Sequence, residues 1–378
     1  MEMWKSCMLS DLGEIVGGGT PSTKVQENYE NGTISWVTPK DLAGLRRRFI
    51  SQGERNITEQ GLRSCSAQMM PKGTILFSSR APIGYVAIAN NELCTNQGFK
   101  SIVPNAGTDS LFLYYLLVYN KNRIENVGIG TTFKEVSAKT MRGISVRVPT
   151  SIIHQKRIAD ILSMLDERIE YNQAINKNLE EQVSAIYQAW FEDFSCSDGI
   201  RPYEWTMFSL ADIADVTSGK RPPVKSTYQT KETPIPILGA SSIMGFTSAE
   251  NYSDHILVIG RVGTHGIVQR FNGSCWASDN TLVIRSKFYE YVNQILQRVD
   301  YHAMNRGSTQ PLITQSDIKN IAVLLPDHTT LSKFEKIAAS LMAVYESNLL
   351  ESTKLIALRD TLLPRLMSGE LDVSSIEL

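Results

Sequence analysis

One block of this chain is present twice. GTTFKEVSAKTMRGISVRVP runs from Gly130 to Pro149, and GSTQPLITQSDIKNIAVLLP runs from Gly307 to Pro326. Gly130/Gly307, Thr132/Thr309, Ile144/Ile321, Val146/Val323 and Pro149/Pro326 coincide without a gap, and conservative swaps fill in between. Each block leads into a long heptad-patterned segment. A unit duplicated within one chain folds into two similar bodies with approximate two-fold symmetry. A duplex or a pair of identical subunits is the natural partner for that symmetry.

The duplication extends beyond this block. Trp4, Leu9, Asp11, Leu12 and Ile15 match Trp205, Leu210, Asp212, Ile213 and Val216 at an offset of 201 residues. Each opening is followed by a polar turn, GGGTPSTK from Gly17 and TSGKRPPVK from Thr217. In mid-unit, FSSRAPIGYVAIANNELCTNQGF from Phe77 aligns with VIGRVGTHGIVQRFNGSCWASDNTL from Val258 if one residue is inserted. That alignment pairs Arg80 with Arg261 and Cys94 with Cys275 at an offset of 181. The falling offset makes the second unit shorter, and length differences between shared landmarks belong in loops.

The long segments carry the clearest periodicity. Ile158, Leu162, Leu165, Ile169, Asn172, Asn176, Leu179, Val183, Ile186 and Trp190 follow alternating steps of four and three, an a/d seam with two polar layers in its middle. Ile337, Leu341, Val344, Asn348, Glu351, Leu355, Leu358 and Leu362 do the same, and Pro364 and Gly369 mark the expected end. One such helix alone exposes a ribbon of Leu and Ile to water, whereas two bury each other. The repeat symmetry predicts an antiparallel pair about 50 Å long with a globular unit at each end. In that arrangement the layers of Asn172/Asn176 and Asn348/Glu351 meet near mid-length and fix the register. The domain boundaries expected are 1–150, a helix over 151–200, a second globular unit over 201–327, and a helix over 328–378.

The globular stretches read as β-rich. Strands are predicted at Thr33 to Val37, Thr74 to Phe77, Gly84 to Ala89 and Ile144 to Val148. Their counterparts are Ile235 to Leu238, His255 to Ile259, Gly266 to Arg270 and Thr281 to Ile284. Short helices are predicted at Asp109 to Tyr119 and Tyr289 to Tyr301. The fold class is therefore α+β: two pseudo-symmetric β-rich domains separated by an antiparallel two-helix coiled coil.

Charge follows this division. The net formal charge is +5 over 1–150, −5 over 151–200, +1 over 201–327 and −2 over 328–378. The globular units carry the positive charge and the helices the negative, which suits domains that touch phosphate and helices that do not. Five cysteines without a CxxC pair fit reduced thiols. No run approaches a membrane span and the first residues lack a signal-peptide core, so a cytoplasmic protein without a membrane partner is expected.

Searching for catalytic motifs gives little. There is no Walker A lysine, and GIGTTF at Gly128 lacks the third glycine of a dinucleotide fingerprint. Asp317-Ile318-Lys319 imitates a nuclease Asp-x-Lys without an evident acidic partner. The five histidines have no metal-ligand spacing. The chain is expected to catalyse nothing and to bind neither metal nor cofactor. A methyltransferase or nuclease in its own right, and a coiled-coil adaptor that never meets DNA, are the competing readings.

What remains is a set of polar, glycine-rich loops from which side chains reach base edges and phosphates. The candidates in the first unit are Thr20, Ser22, Lys24, Trp36, Thr38, Lys40, Arg46, Arg47, Ser79, Arg80, Gln97, Thr131, Thr132 and Lys134. In the second they are Ser218, Lys220, Arg221, Lys225, Ser241, Ser242, Arg261, Thr264, Asn280, Arg306, Ser308, Thr309 and Gln310. The run Arg46-Arg47-Arg48 reads as solvated or phosphate-facing.

Taken as a whole, the chain resembles the specificity subunit of type I restriction–modification systems. The resemblance rests on Trp4/Trp205 with their Leu-x-Asp openings, GGGTPST from Gly17, WVTPKDL from Trp36, SSRAPIG from Ser78 and TNQGF from Thr95. It rests also on the pre-helix blocks, on the helix from His154, and on LRDTLLPRLMSGEL from Leu358. It implies two target-recognition domains, each reading one half of a split, non-palindromic site in double-stranded DNA. It further implies helices that space the halves and seat two methyltransferase subunits, with restriction subunits joining through these. S-adenosylmethionine and ATP then belong to the partners only. GKRPP in place of GGGTP, and GRVGTHG in place of SRAPIG, imply a different half-site for the second unit.

Overall fold

A computed structural model of the chain describes residues 4–373 and 376, apart from 81, 131–133, 263–265, 302 and 305–311. It divides into two compact units, Met1–Ala174 with Asn348–Leu378, and Ile175–Ser347. Two long helices, Ile152–Tyr187 and His328–Met367, each contribute a stretch to both units. Among the described residues no helix is long and apolar enough to cross a membrane.

In the first unit a five-stranded sheet runs in the order Gly13–Gly17, Lys100–Pro104, Ile75–Ser79, Ile83–Ala89 and Phe49–Ile50. The aliphatic runs ILFSS and IGYVAIA lie at its centre because both their faces are covered. Ile75, Phe77 and Ile88 face a core shared with the helix Ser110–Asn126, while Leu76, Ala87 and Ala89 face a second core with Val37 and Phe99. A three-stranded sheet (Arg55–Ile57, Ile34–Val37, Cys94–Thr95) and the pair Trp4–Met8 with Ser145–Pro149 complete the head.

The second unit repeats this plan. Asp215–Ser218, Thr281–Arg285, His255–Gly260 and Val268–Asn272 form its larger sheet. Ile243–Thr247, Ile235–Leu238 and Trp276–Ala277 form the smaller one, and Thr206–Ser209 pairs with Ala322–Leu325. The expected strands appear within two residues of their expected bounds. The helix expected over Asp109 to Tyr119 runs on to Asn126, and its counterpart ends at Gln297.

Register fixes the equivalence of the two units and corrects the expected alignment. Ile75 faces Ile102 and Ile88; Leu257 faces Ile284 and Arg270. The mid-unit offset is therefore 182 residues, one more than letter matching indicated. Ser79 donates its N–H to Gly98 O at 2.7 Å, and Arg261 donates to Asn280 O at 2.9 Å. Arg80 bridges Glu135, and Val262 bridges Leu312. Arg261 is thus the counterpart of Ser79 rather than of Arg80, and Cys94 shares its place with Trp276 rather than Cys275. A one-residue slip preserves a match of letters but turns every side chain to the opposite face.

The repeated aspartates are caps. Asp11 accepts from Met8 N at 2.7 Å, and Asp212 accepts from Ser209 N and Oγ at 2.8 and 2.7 Å. Asp317 accepts from Thr314 N and Oγ1 at 2.9 and 2.6 Å, which explains the nuclease-like Asp-x-Lys as a capping box. Burial pushes both the Cys94 and the Cys275 thiols up to about 12, as befits packing residues.

Within the first unit the long helices run antiparallel. Asp166 meets Arg359 at 2.7 Å, and Arg168 meets Glu351 at 2.9 Å. Asn172 donates to Glu351 Oε2 at 2.8 Å, while Ile158 and Leu162 share a core with Leu362 and Leu366. Within the second unit Asn176 donates to Tyr345 O at 3.1 Å, and Val183, Tyr187 and Phe191 pack with Leu331, Phe334, Ala338 and Met342. The first seam falls where expected, with Ile158, Leu162, Ile169, Asn172, Asn176, Leu179 and Val183 buried and Leu165 half-buried.

The second seam differs at alternate positions. Leu341, Leu355 and Leu362 are half-buried and Asn348 is buried, but Ile337, Val344 and Leu358 are 39, 48 and 46 % exposed. Ala338 and Ser352 are buried instead, joined by the half-buried Tyr345 and Arg359. Apolarity pointed to the wrong neighbour because the true seam carries small and polar residues. The helix also continues through Pro364 to Met367, and the turn at Gly369 (φ +79°) ends it.

Candidate nucleic-acid interface

The loops at one edge of each head are tied together by backbone contacts that admit no side chain. In the first unit Gly19 N bonds Thr95 O at 3.0 Å, and a Cβ on Gly18 would lie 2.1 Å from Asn96 O. In the second, Lys220 N bonds Ala277 O at 3.0 Å, and a Cβ on Gly219 would lie 2.1 Å from Ser278 O. Glycine is required here by the close approach of two backbones. A tryptophan braces the same carbonyl in both units from different strands: Trp36 Nε1 reaches Gly19 O at 3.0 Å and Trp276 Nε1 reaches Lys220 O at 2.6 Å.

Around this brace the first-unit loops converge. Thr20 Oγ1 bonds the Gln97 side chain, and Gly98 packs against Pro39. Ser79 Oγ reaches Gly98 O at 3.0 Å. Arg80 and Lys100 both reach the Glu135 carboxylate, at 3.5 and 3.4 Å. Thr20, Gln97 and Arg80 thereby lie on converging loops, Lys134 is exposed next to Glu135, and Ser22 and Lys24 are exposed on the adjoining turn. Lys40 is exposed and paired with Glu54 at 2.7 Å.

Other candidates are internal. Trp36 and Ser79 are buried, and the Thr38 hydroxyl donates to Asp41 in the cap of the helix Pro39–Leu42. Arg46 and Arg47 are exposed but lie elsewhere, beside the long helix with Asp166, Ile169 and Glu170. Arg48, expected to be solvated, is 3 % exposed and bonds Glu170, Ser163 and Tyr115. Lys100 and Glu135 were missed; their sequence signal is only their proximity to TNQGF and GTTF.

In the second unit Ser241, Ser242, Val262 and Asn280 line a cavity of about 280 Å³ with Gly239 and Met244. Lys220, Arg221 and Lys225 are exposed on the preceding loop, Ser218 is half-buried on its strand, and Arg261 is half-buried next to Asn280. The exposed Tyr228 and Ile243 flank this loop set and carried no periodic signal in the sequence. Thr131, Thr132, Thr264, Arg306, Ser308, Thr309 and Gln310 lie outside the described residues.

Across the two faces, the same backbone addresses carry unlike side chains. Gly19 corresponds to Lys220, Ser79 to Arg261, Arg80 to Val262 and Gln97 to Asp279. Such a pair of faces presents two different donor, acceptor and charge patterns on one scaffold. Among the described residues no cluster of His, Cys, Asp and Glu is arranged to hold a metal.

Comparison with known proteins places this architecture. The family described as type I restriction modification DNA specificity domain matches residues 1–181 and 202–359. The MjaIX specificity subunit of Methanocaldococcus jannaschii is 32% identical, the match covering 99% of this chain and 94% of the relative. The HindI specificity subunit of Haemophilus influenzae is 22% identical over 98% of this chain and 100% of its own length. Among solved structures, the S subunit of a type I system from M. genitalium superposes with a TM-score of 0.65 at 19% identity. The superposition covers 97% of this chain and 96% of that one, a likeness of fold.

Proposed function

From its membership of the type I restriction modification DNA specificity family, shown by a match along most of its length, we propose how this chain recognises DNA. It is the component that supplies sequence recognition. Each loop face engages duplex DNA, with glycine-tied loops bringing polar side chains to base edges and exposed lysines and arginines meeting phosphates. The observation that carries this reading is the set of equivalent positions with unlike side chains, Arg80/Val262 and the exposed Gln97/Asp279 above all. Two different faces read two different half-sites, so the target is bipartite and non-palindromic.

The chain itself is non-catalytic and acts in the cytoplasm. It directs two methyltransferase subunits, and restriction subunits join through them; S-adenosylmethionine and ATP serve those partners. In support, the one nuclease-like motif, at Asp317, is a helix cap.

The test is to profile genomic adenine methylation in cells with and without this gene, its methyltransferase partner present. A split motif that vanishes with the gene is the expected result. Exchanging residues 1–150 for another such unit changes one half of that motif and leaves the other intact. Loss of both halves on exchange, or methylation at an unsplit motif, overturns the proposal.

A further inference from the structure

Counted from the helix starts Ile152 and His328, Glu170 and Glu346 hold the same place, as do Asn172 and Asn348. Both glutamates receive an arginine from their own head. Arg48 Nε and N reach Glu170 Oε1 at 3.1 and 2.9 Å, and its Nη1 reaches Ser163 Oγ of the same helix at 2.6 Å. Arg270 Nη2 lies 3.8 Å from Glu346, beside Asn272, which donates to the same carboxylate at 3.3 Å.

The two arginines are not equivalent in sequence. The counterpart of Arg270 is Ile88, and Ile88 donates its N–H to the carbonyl of Arg48 at 2.7 Å. The guanidinium thus arrives at one place from neighbouring backbone segments. Burial works against both charges, and the hydrogen bonds to Glu170 and Glu290 outweigh it, so both guanidiniums stay protonated. Each arginine is anchored again inside its head, Arg48 to Tyr115 Oη at 3.5 Å, and Arg270 to both Glu290 oxygens at 2.6 and 2.7 Å.

We infer that Arg48 with Glu170, and Arg270 with Glu346, are positioning pairs that fix the angle of each recognition head on its long helix and thereby set how strictly the DNA spacer length is enforced. Neither arginine lies on the loop face, so neither reads a base: Arg48 adjoins the opposite end of the strand Ile83–Ala89 from Arg80. Arg48 forks onto Glu170 and Ser163, a directional bond that holds an angle, while Arg270 meets Glu346 as an ion pair at 3.8 Å steadied by Asn272. This inference rests on the bipartite reading above.

The experiment uses the full chain assembled with its methyltransferase subunit, on duplexes carrying the mapped half-sites at the native spacer and at one base pair more or fewer. In E170Q and E346Q the half-site letters and the native-spacer rate stay as in the unsubstituted chain. Preference for the native spacer falls by about tenfold in E170Q, the scale of one charge-assisted hydrogen bond, and falls by less in E346Q, where the arginine contact is an ion pair at 3.8 Å. Arg48→Lys, which keeps the charge and loses the fork, relaxes the spacer in the same sense if E170Q does not fold. Unchanged spacer preference in folded E346Q and in either first-unit variant overturns the inference. Failure to find any split target instead sinks the DNA reading beneath it.

Discussion

Glu335 couples the second unit of this fold to pH. It lies on the second long helix, and its carboxylate accepts from Tyr291 N at 2.7 Å and Glu290 N at 3.2 Å, capping the helix Tyr289–Gln297. Burial pushes its carboxyl up to about 7, against the pull of those two N–H groups, and the nearby Glu290 carboxylate pushes the same way as burial. A carboxyl raised in the folded state holds its proton where the unfolded chain has lost it. Between about pH 4.5 and 7 the native state binds more protons, so stability falls as pH rises through that window and is lowest above it. A tenfold change in proton affinity corresponds to about 1.4 kcal/mol, which sets the penalty at neutral pH at about 2–3 kcal/mol after allowance for residual solvent.

Each N–H is accepted by a separate carboxylate oxygen, so Glu335→Gln removes the titration and, like the protonated carboxyl, keeps one full acceptor for the pair. The variant is expected to match the unsubstituted protein near about pH 4 and to exceed it by about 2–3 kcal/mol near about pH 8. Urea unfolding followed by tryptophan fluorescence, with Trp190, Trp205 and Trp276 all reporting on this unit, measures the difference directly. Parallel pH curves for the two proteins, or a variant weaker at alkaline pH, refute the reasoning.

Three further outcomes follow from packing and charge. Phe334 is fully buried against Tyr187, Trp190, Phe191 and Tyr291, so Phe334→Ala lowers stability by about 3–5 kcal/mol in the same unfolding assay. The seam on the second helix is tested by a contrast: Ile337→Ser shifts stability by no more than about 0.5 kcal/mol, while Ala338→Leu costs about 1–3 kcal/mol through overpacking. Replacing exposed Lys24 or Arg221 with Ala weakens DNA binding by the assembled complex without changing the motif. If the residue meets a phosphate, it lowers the salt-dependence slope by about one, read from titrations at several ionic strengths.

The repeat was legible because it is written in residues whose structural work is local. Asp11 and Asp212 cap turns, and Gly18 and Gly219 permit backbone contact at the start of each polar turn. The seam was half legible for the opposite reason. Leu341, Leu355 and Leu362 announce it, but the intervening positions are Ala338, Tyr345, Ser352 and Arg359, chosen for what they meet. Arg359 meets Asp166, and Tyr345 offers its carbonyl to Asn176. A hydrophobic count cannot see a partner.

The loop face diverges between the two units at a point where the letters match. Aligning Arg80 with Arg261 was the natural reading of two arginines in matching mid-unit segments, yet strand register assigns Arg261 to the address of Ser79. Ser79 is buried and bonds Gly98 O, whereas Arg80 reaches out to Glu135. The two arginines therefore leave their strands toward different faces. Matching letters at a duplicated site would give both heads the same contact; shifted register gives them different ones. For a scaffold copied to read two unlike sequences, that divergence at fixed backbone is the useful outcome, and side chains held to a common template would defeat it.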